Sequence, residues 1–238
     1  MVHFIGAGPG AEDLITVRGA KLLGEADVII YAGSLVNPAL LSYKKESCAV
    51  YDSASMTLEQ VIEVMKDTED RGGMTVRLHT GDPSLYGAIR EQMDELDKLG
   101  IGYDVTPGVS PFSGAAAALC AEYTLPEVSQ SVIITRMAGR TPVPEGEELR
   151  KMASHGCTMV LFLSTGLLED VEKELAAGGG GPARPGHIGK AGIGVDGGEG
   201  LLRRDGGGGA CQQGGGQGQG DELLFHGTFP PVRRVFPI

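Results

Sequence analysis

Val2-His3-Phe4-Ile5-Gly6-Ala7-Gly8-Pro9-Gly10 is the stretch that decides the fold. Val2 to Ile5 is a short apolar strand that runs straight into a glycine-rich turn, and Leu14, Val17, Leu22 and Leu23 then recur at roughly helical spacing. The same order of strand, bare turn and helix returns further along. Met74 to Leu78 leads into Gly81-Asp82-Pro83-Ser84-Leu85-Tyr86-Gly87, and Tyr103 to Thr106 leads into Pro107-Gly108-Val109-Ser110-Pro111-Phe112-Ser113-Gly114-Ala115-Ala116-Ala117. Each turn lies at the carboxyl end of a strand with few side chains to cover its N–H and C=O groups, which is where open α/β folds bind ligands.

Working outward, Ala26 to Tyr31 is a continuous apolar strand, Leu58 to Thr68 carries Leu58, Val61, Ile62 and Met65 on one helical face, and Ile89 to Leu99 is a second amphipathic helix. Alternating strands and helices predict a parallel sheet. An Ala-rich helix from about Phe112 to Cys120 precedes a second set: strand Ser131 to Thr135, helix Gly146 to His155, strand Thr158 to Leu163 and helix Leu167 to Ala176. The chain therefore reads as an α/β protein with an N-terminal domain over 1–112, a C-terminal domain over 113–177 and a Gly-rich tail over 178–238. Of the 39 glycines, 20 lie between Gly178 and Gly220. A stretch of that composition buries too little apolar surface to offset its backbone entropy. It reads as a disordered tail or as a segment translated out of frame, and in either case no further strand is expected after residue 177, leaving the second domain incomplete.

A net charge of -11 and a pI near 4.9 disfavour nucleic acid and anionic membrane as partners, so an anionic ligand must meet a local basic patch. Cys48, Cys120, Cys157 and Cys211 are far apart and lack metal-ligand spacing, so no metal site or disulfide framework is expected and a reducing cytoplasm fits. No basic segment with an apolar follow-on opens the chain, which is expected to be soluble and unprocessed.

Gly6-x-Gly8-x-x-Ala11 satisfies the dinucleotide fingerprint in form. A nicotinamide site also needs an acidic residue at the end of the second strand, and that strand ends Ile30-Tyr31-Ala32-Gly33, which argues against a nicotinamide-dependent reductase. Taken alone, each glycine turn serves equally well as a connection, and the weight lies in their conjunction. His3, His79, His155, His187 and His226 are scattered with no acid paired to them, and are assigned structural or surface roles.

The chain resembles the tetrapyrrole (corrin/porphyrin) methyltransferase family through Val2 to Gly10 with Leu14-Ile15-Thr16-Val17-Arg18-Gly19, Arg77 to Gly87, Pro107 to Leu119 and Thr158 to Ser164. Within it, Tyr31-Ala32-Gly33-Ser34-Leu35-Val36-Asn37-Pro38 and Thr135-Arg136-Met137-Ala138-Gly139-Arg140-Thr141-Pro142 resemble the branch that methylates C(11) of precorrin-4 or cobalt-precorrin-4 in cobalamin biosynthesis. Uroporphyrinogen-III members of the family carry an Asp after the second-strand Tyr, where this chain has Ala32, and that departure favours the C(11) branch.

The resemblance implies two α/β domains with a cofactor cleft between them, S-adenosylmethionine as methyl donor, a precorrin-type tetrapyrrole as substrate and a homodimer. It implies donor contacts at Pro9, Thr80, Gly81, Asp82, Leu85, Ser110, Pro111 and Leu163, most of them through backbone or shape. Methyl transfer from a sulfonium requires alignment and needs no nucleophilic side chain or metal, and no catalytic residue is singled out. The many carboxylates of a tetrapyrrole call for guanidinium partners, for which Arg18, Arg136 and Arg140 are the candidates. A sibling ring-carbon methyltransferase and a catalytically silent tetrapyrrole-binding protein remain as alternatives.

Overall fold

The computed structural model describes residues 1–139, 141–179 and 235–237. The chain divides into two compact units, the first built on Met1–Gly114 and the second beginning at Ala115. The division falls inside a helix, Pro111–Ala118.

The first unit holds strands β1 (Val2–Gly6), β2 (Val28–Tyr31), β3 (Ala49–Asp52), β4 (Thr75–His79) and β5 (Tyr103–Thr106), in the order β3-β2-β4-β1-β5. Every neighbouring pair is parallel, as the alternation of elements predicts. Each residue of β1 and β4 is buried, because central strands of a parallel sheet are covered on both faces, and this takes in the polar His3, Thr75, Arg77 and His79 along with the apolar residues. Strand β3 escapes that logic: all of its residues are exposed at the sheet edge.

Alternation along the strands sends Ile5, Ile29, Val76 and Leu78 to one face, where they meet Leu23 of α1 (Val17–Glu25) and Leu40. Val2, Phe4, Val28 and Ile30 face the other way, against Val61, Ile62 and Met65 of α2 (Leu58–Asp70) and Leu96 of α3 (Arg90–Leu99). Each such side chain contributes roughly 1.5–3 kcal/mol of burial free energy. Local chemistry fixes the helix ends. Thr16 accepts the Gly19 N–H, so α1 starts at Val17, and Leu14 belongs to a separate 3-10 turn over Glu12–Leu14. Thr57 and Gln60 form a capping box on α2, and Gly100, at φ 67°, ends α3 in the left-handed region.

The second unit contains the rest of α4 (Pro111–Ala118), strands β6 (Val132–Arg136), β7 (Thr158–Phe162) and β8 (Val235–Pro237), and helices α5 (Leu149–Ala153) and α6 (Leu168–Gly178). The sheet order is β6-β7-β8, again parallel. Leu149, Ala153, Met159, Leu161 and Val171 form its core. The strand at Val235–Pro237 corrects the expectation that none follows residue 177. An edge strand needs a ladder on one side only, so Val-Phe-Pro suffices there, and Pro is tolerated. The two readings of the Gly-rich segment fall on 180–234, outside the described residues. Among the described residues, no helix is long and apolar enough to cross a membrane.

Candidate functional site

Because β4, β1 and β5 are adjacent, the glycines that follow or end them converge. A Cβ on Gly6 would collide with the carbonyl oxygen of Gly81 and lie 2.5 Å from the Cα of Gly108. A Cβ on Gly108 would likewise collide with the Gly81 oxygen and lie 2.7 Å from the Cα of Gly6. Gly8 and Gly81 exchange hydrogen bonds, Gly8 N donating to Gly81 O at 3.2 Å and Gly81 N to Gly8 O at 2.9 Å. Three chain segments thus knot together at backbone distance. Around the knot, Pro111 closes against Gly81, whose φ is +62°, and the Pro9 ring closes against Gly114, where an added Cβ would lie 2.7 Å from the proline.

Asp82 ties the second turn to the third. Its Oδ1 accepts the Ser84 N–H at 2.8 Å and the Ser84 hydroxyl at 2.5 Å, and its Oδ2 accepts the Gly108 N–H at 3.0 Å. Burial alone would raise its pKa, but these bonds outweigh it and hold the carboxyl below the usual range, so it is ionised at neutral pH. Thr80 donates its hydroxyl to the Leu35 carbonyl at 2.7 Å, joining β4 to the turn after β2. Leu85 is half-buried, its N–H donating to the Asp82 carbonyl at 3.2 Å. Ser110 is buried and gives its carbonyl to the N–H groups of Ser113 and Gly114, while its hydroxyl has no partner. An unpaired buried hydroxyl costs about 1–3 kcal/mol, and a polar ligand atom at that point would relieve it. The structure therefore brings Pro9, Thr80, Gly81, Asp82, Leu85, Ser110 and Pro111 to one end of the first sheet.

Leu163 belongs to the second unit, directly after β7, and is described there by itself. It is 69% exposed with a φ of 54°, a region a branched side chain seldom occupies. Ser164 holds that corner, donating its hydroxyl to Phe162 O at 2.7 Å and accepting the Met137 N–H at 3.0 Å. Of the arginines, Arg18 is exposed on the first turn of α1 with no partner among the described residues. Arg136 ends β6 and donates to Thr141 O at 3.1 Å and Pro142 O at 2.8 Å, so its guanidinium supports a loop. Arg140 lies outside the described residues.

Several contributors escape a reading of the sequence. Asn37, read in the sequence only as part of the Tyr31–Pro38 resemblance, donates to Gly10 O at 2.7 Å and accepts the Ala39 N–H at 2.9 Å, anchoring the first turn. His3 is not unpaired, as expected, but sits 2.7 Å from Asp104 across the β1–β5 pairing. On β4, Arg77 and His79 share the face of Phe4, both buried. Burial, with the charge of Arg77 adding to it, pushes His79 down to about 3, and burial pushes Arg77 down to about 10. No carboxylate follows Tyr31. Asp52, the register partner of Tyr31 at the end of β3, would lie 3.0 Å from a Cβ on Gly33 and accepts the Ala54 N–H at 2.8 Å.

Residues 1–192 match the family model of the Tetrapyrrole (Corrin/Porphyrin) Methylases. The chain is 56% identical to a cobalt-precorrin-4 C(11)-methyltransferase of Methanocaldococcus jannaschii over 75% of this chain and 69% of the relative. It is 46% identical to a precorrin-4 C(11)-methyltransferase of Mycobacterium tuberculosis over 77% of this chain and 74% of the relative. Among solved structures, a cobalt precorrin-4 methyltransferase superposes with a TM-score of 0.73 at 49% identity, covering 75% of each chain. A uroporphyrin-III C-methyltransferase from Thermus thermophilus, complexed with S-adenyl homocysteine, does so with a TM-score of 0.62 at 26% identity, covering 76% of this chain and 74% of the other.

Proposed function

Because this chain belongs to the tetrapyrrole (corrin/porphyrin) methylases, we propose that it is an S-adenosylmethionine-dependent C-methyltransferase acting at C(11) of precorrin-4, or of its cobalt form, in cobalamin biosynthesis. The observation that carries this reading is the Gly6–Gly81–Gly108 knot with the unpaired Ser110 hydroxyl beside it. It is a backbone-walled site, suited to a ligand that must be oriented without being ionised or attacked by a side chain.

S-adenosylmethionine, when bound, supplies an electrophilic methyl group on a sulfonium. The chain's task is to orient and to exclude water. Positioning of that kind supplies roughly 7–11 kcal/mol in well-held cases. Donor contacts fall at Pro9, Thr80, Gly81, Asp82, Leu85, Ser110 and Pro111 in the first unit, and Leu163, in the second unit, is proposed on the family resemblance alone. Ala32 leaves no base after Tyr31, in keeping with the C(11) branch. The substrate's carboxylates meet Arg18, Arg136 and Arg140. Arg18 has its guanidinium unengaged among the described residues, whereas Arg136 must give up the Thr141 and Pro142 carbonyls. A homodimer in the cytoplasm accords with the family resemblance.

The test is turnover of the full chain with methyl-labelled S-adenosylmethionine and either precorrin-4 or cobalt-precorrin-4, read by mass spectrometry and carbon NMR. A new labelled methyl on C(11) is expected. Label on another ring carbon assigns a sibling activity, and tetrapyrrole binding without donor consumption assigns a silent binding protein.

A further inference from the structure

We propose that Gln92 is a positioning residue for the donor site, acting through the backbone of the loop Tyr86-Gly87-Ala88. The proposal rests on the donor reading above. This loop continues the Gly81–Leu85 turn and delivers the chain to α3. Its near end is fixed by Asp82, through Ser84 and Gly108. Its far end is held from below, where Gln92 Nε2 donates to the carbonyl of Ala88 at 3.0 Å. The same carboxamide accepts at Oε1 from Arg77 Nε at 3.1 Å, and Arg77 Nη1 donates to the carbonyl of Ile30 at 3.2 Å. One relay thus runs from β2 through β4 and α3 to the loop, buried at Arg77 and part-buried where it reaches Ala88.

What it holds is a segment that would not keep its shape alone. Tyr86 at φ 56° and Ala88 at φ 49° both occupy the left-handed region, and a Cβ on Gly87 would collide with the carbonyl oxygen of Pro83. Such conformations persist where the surroundings over-determine them, and they cluster at ligand sites. The residue type carries the argument further. Arg77 is buried with no carboxylate paired to it among the described residues, so a glutamate at position 92 would give it an ion pair. A carboxylate, however, has no proton to give Ala88. A carboxamide alone serves both neighbours, accepting from the guanidinium and donating to the loop.

Gln92→Glu separates these two roles. It keeps the acceptor for Arg77, now charged, and puts an oxygen where the donor to Ala88 stood. The expected result has three parts: a thermal midpoint no lower than the parent's, amide hydrogen exchange in residues 85–89 at least tenfold faster, and a Kd for S-adenosylhomocysteine, by calorimetry, at least tenfold weaker. Gln92→Met, which loses both bonds, calibrates the purely structural cost as a drop in midpoint. A Glu variant whose midpoint falls as far as that of the Met variant makes Gln92 merely structural and overturns the proposal. Donor-analogue affinity within twofold of the parent overturns it as well. A parent chain that takes up no S-adenosylhomocysteine sinks the donor reading instead, and the exchange rates then decide the loop tether by themselves: faster exchange in the Glu variant upholds it, unchanged exchange overturns it.

Discussion

Lowering the pH from 7.5 to 5.0 should remove about 2 kcal/mol of stability through His79 alone. The ring is 5% exposed, its Nε2 has no hydrogen-bond partner, and burial together with the nearby Arg77 charge pushes its pKa down to about 3. In the unfolded chain the same imidazole titrates near 6.5. The sign follows: as pH falls through 6.5 the unfolded state takes up a proton that the folded state refuses until about 3, so the contribution is complete above 6.5 and drains away below it. At pH 5.0 the unfolded state has gained about 2 kcal/mol by that protonation, and the folded state almost nothing. Urea unfolding at 25 °C, followed by far-UV circular dichroism at both pH values, should be run on the parent and on His79→Phe. The phenyl ring keeps the packing against Phe4, whose ring centroid is 6.0 Å from that of His79, and removes the unpaired nitrogen. The variant should therefore match the parent within about 1 kcal/mol at pH 7.5 and lose about 2 kcal/mol less on acidification, since other titrating groups cancel in the difference. Equal acid losses in the two proteins, or an imidazole NMR titration with a midpoint above about 5.5, would refute the reasoning.

Gly108→Ala forces a methyl group onto the Gly81 carbonyl and to 2.7 Å from the Gly6 Cα, and should cost at least about 3 kcal/mol in urea unfolding. A loss under about 1 kcal/mol would mean that the knot opens easily. Leu163→Gly removes a left-handed φ of 54° from an exposed, branched residue and should gain up to about 1 kcal/mol, net of glycine's greater entropy. Calorimetry should show weaker S-adenosylhomocysteine binding in the same variant, and unchanged binding takes Leu163 out of the donor site. Arg136→Ala and Arg140→Ala should each raise KM for the precorrin about tenfold with kcat little changed, as expected for lost charge-assisted bonds. Unchanged KM in both removes them from the substrate site.

Legibility in the sequence followed burial. Strands β1, β2 and β4 are covered on both faces or nearly so, and apolar residues such as Phe4, Ile5, Ile29, Ile30, Val76 and Leu78 announce them even though Arg77 and His79 are buried among them. Strand β3 is exposed throughout, and its residues Ala-Val-Tyr-Asp fit an edge as well as a loop. Strand β8 is three residues long and far along the chain from β7, so no local pattern could announce the pairing. Helix α5 is shorter than its apolar spacing suggests, because Glu145–Glu147 form a 3-10 turn first. At the site, the glycines could be read as bare turns, but what each one touches could not. Gly6 meets Gly108, and His3 meets Asp104, across separations of about a hundred residues that only the parallel register closes. Gln92 sits in an ordinary amphipathic helix, and its importance appears only once Ala88 is seen in the left-handed region.

The hydrogen bonds of the first unit leave few side-chain groups free to recognise the proposed donor there. Thr80 spends its hydroxyl on Leu35, and Asp82 spends its carboxylate on Ser84 and Gly108. Pro9, Leu85 and Pro111 have no polar side-chain group to offer, and Gly81 has no side chain at all. Among the first-unit residues proposed for the donor, the Ser110 hydroxyl is then the side-chain group still seeking a partner. On the donor reading proposed above, recognition there would come chiefly from backbone N–H and C=O groups whose positions the knot fixes. Rigidity of the turns would then be part of the binding chemistry. On that reading, a substitution that loosens a turn, at Asp82, Asn37 or Gln92, would act on the ligand as directly as one that removes a contact, because the turn itself would be the contact.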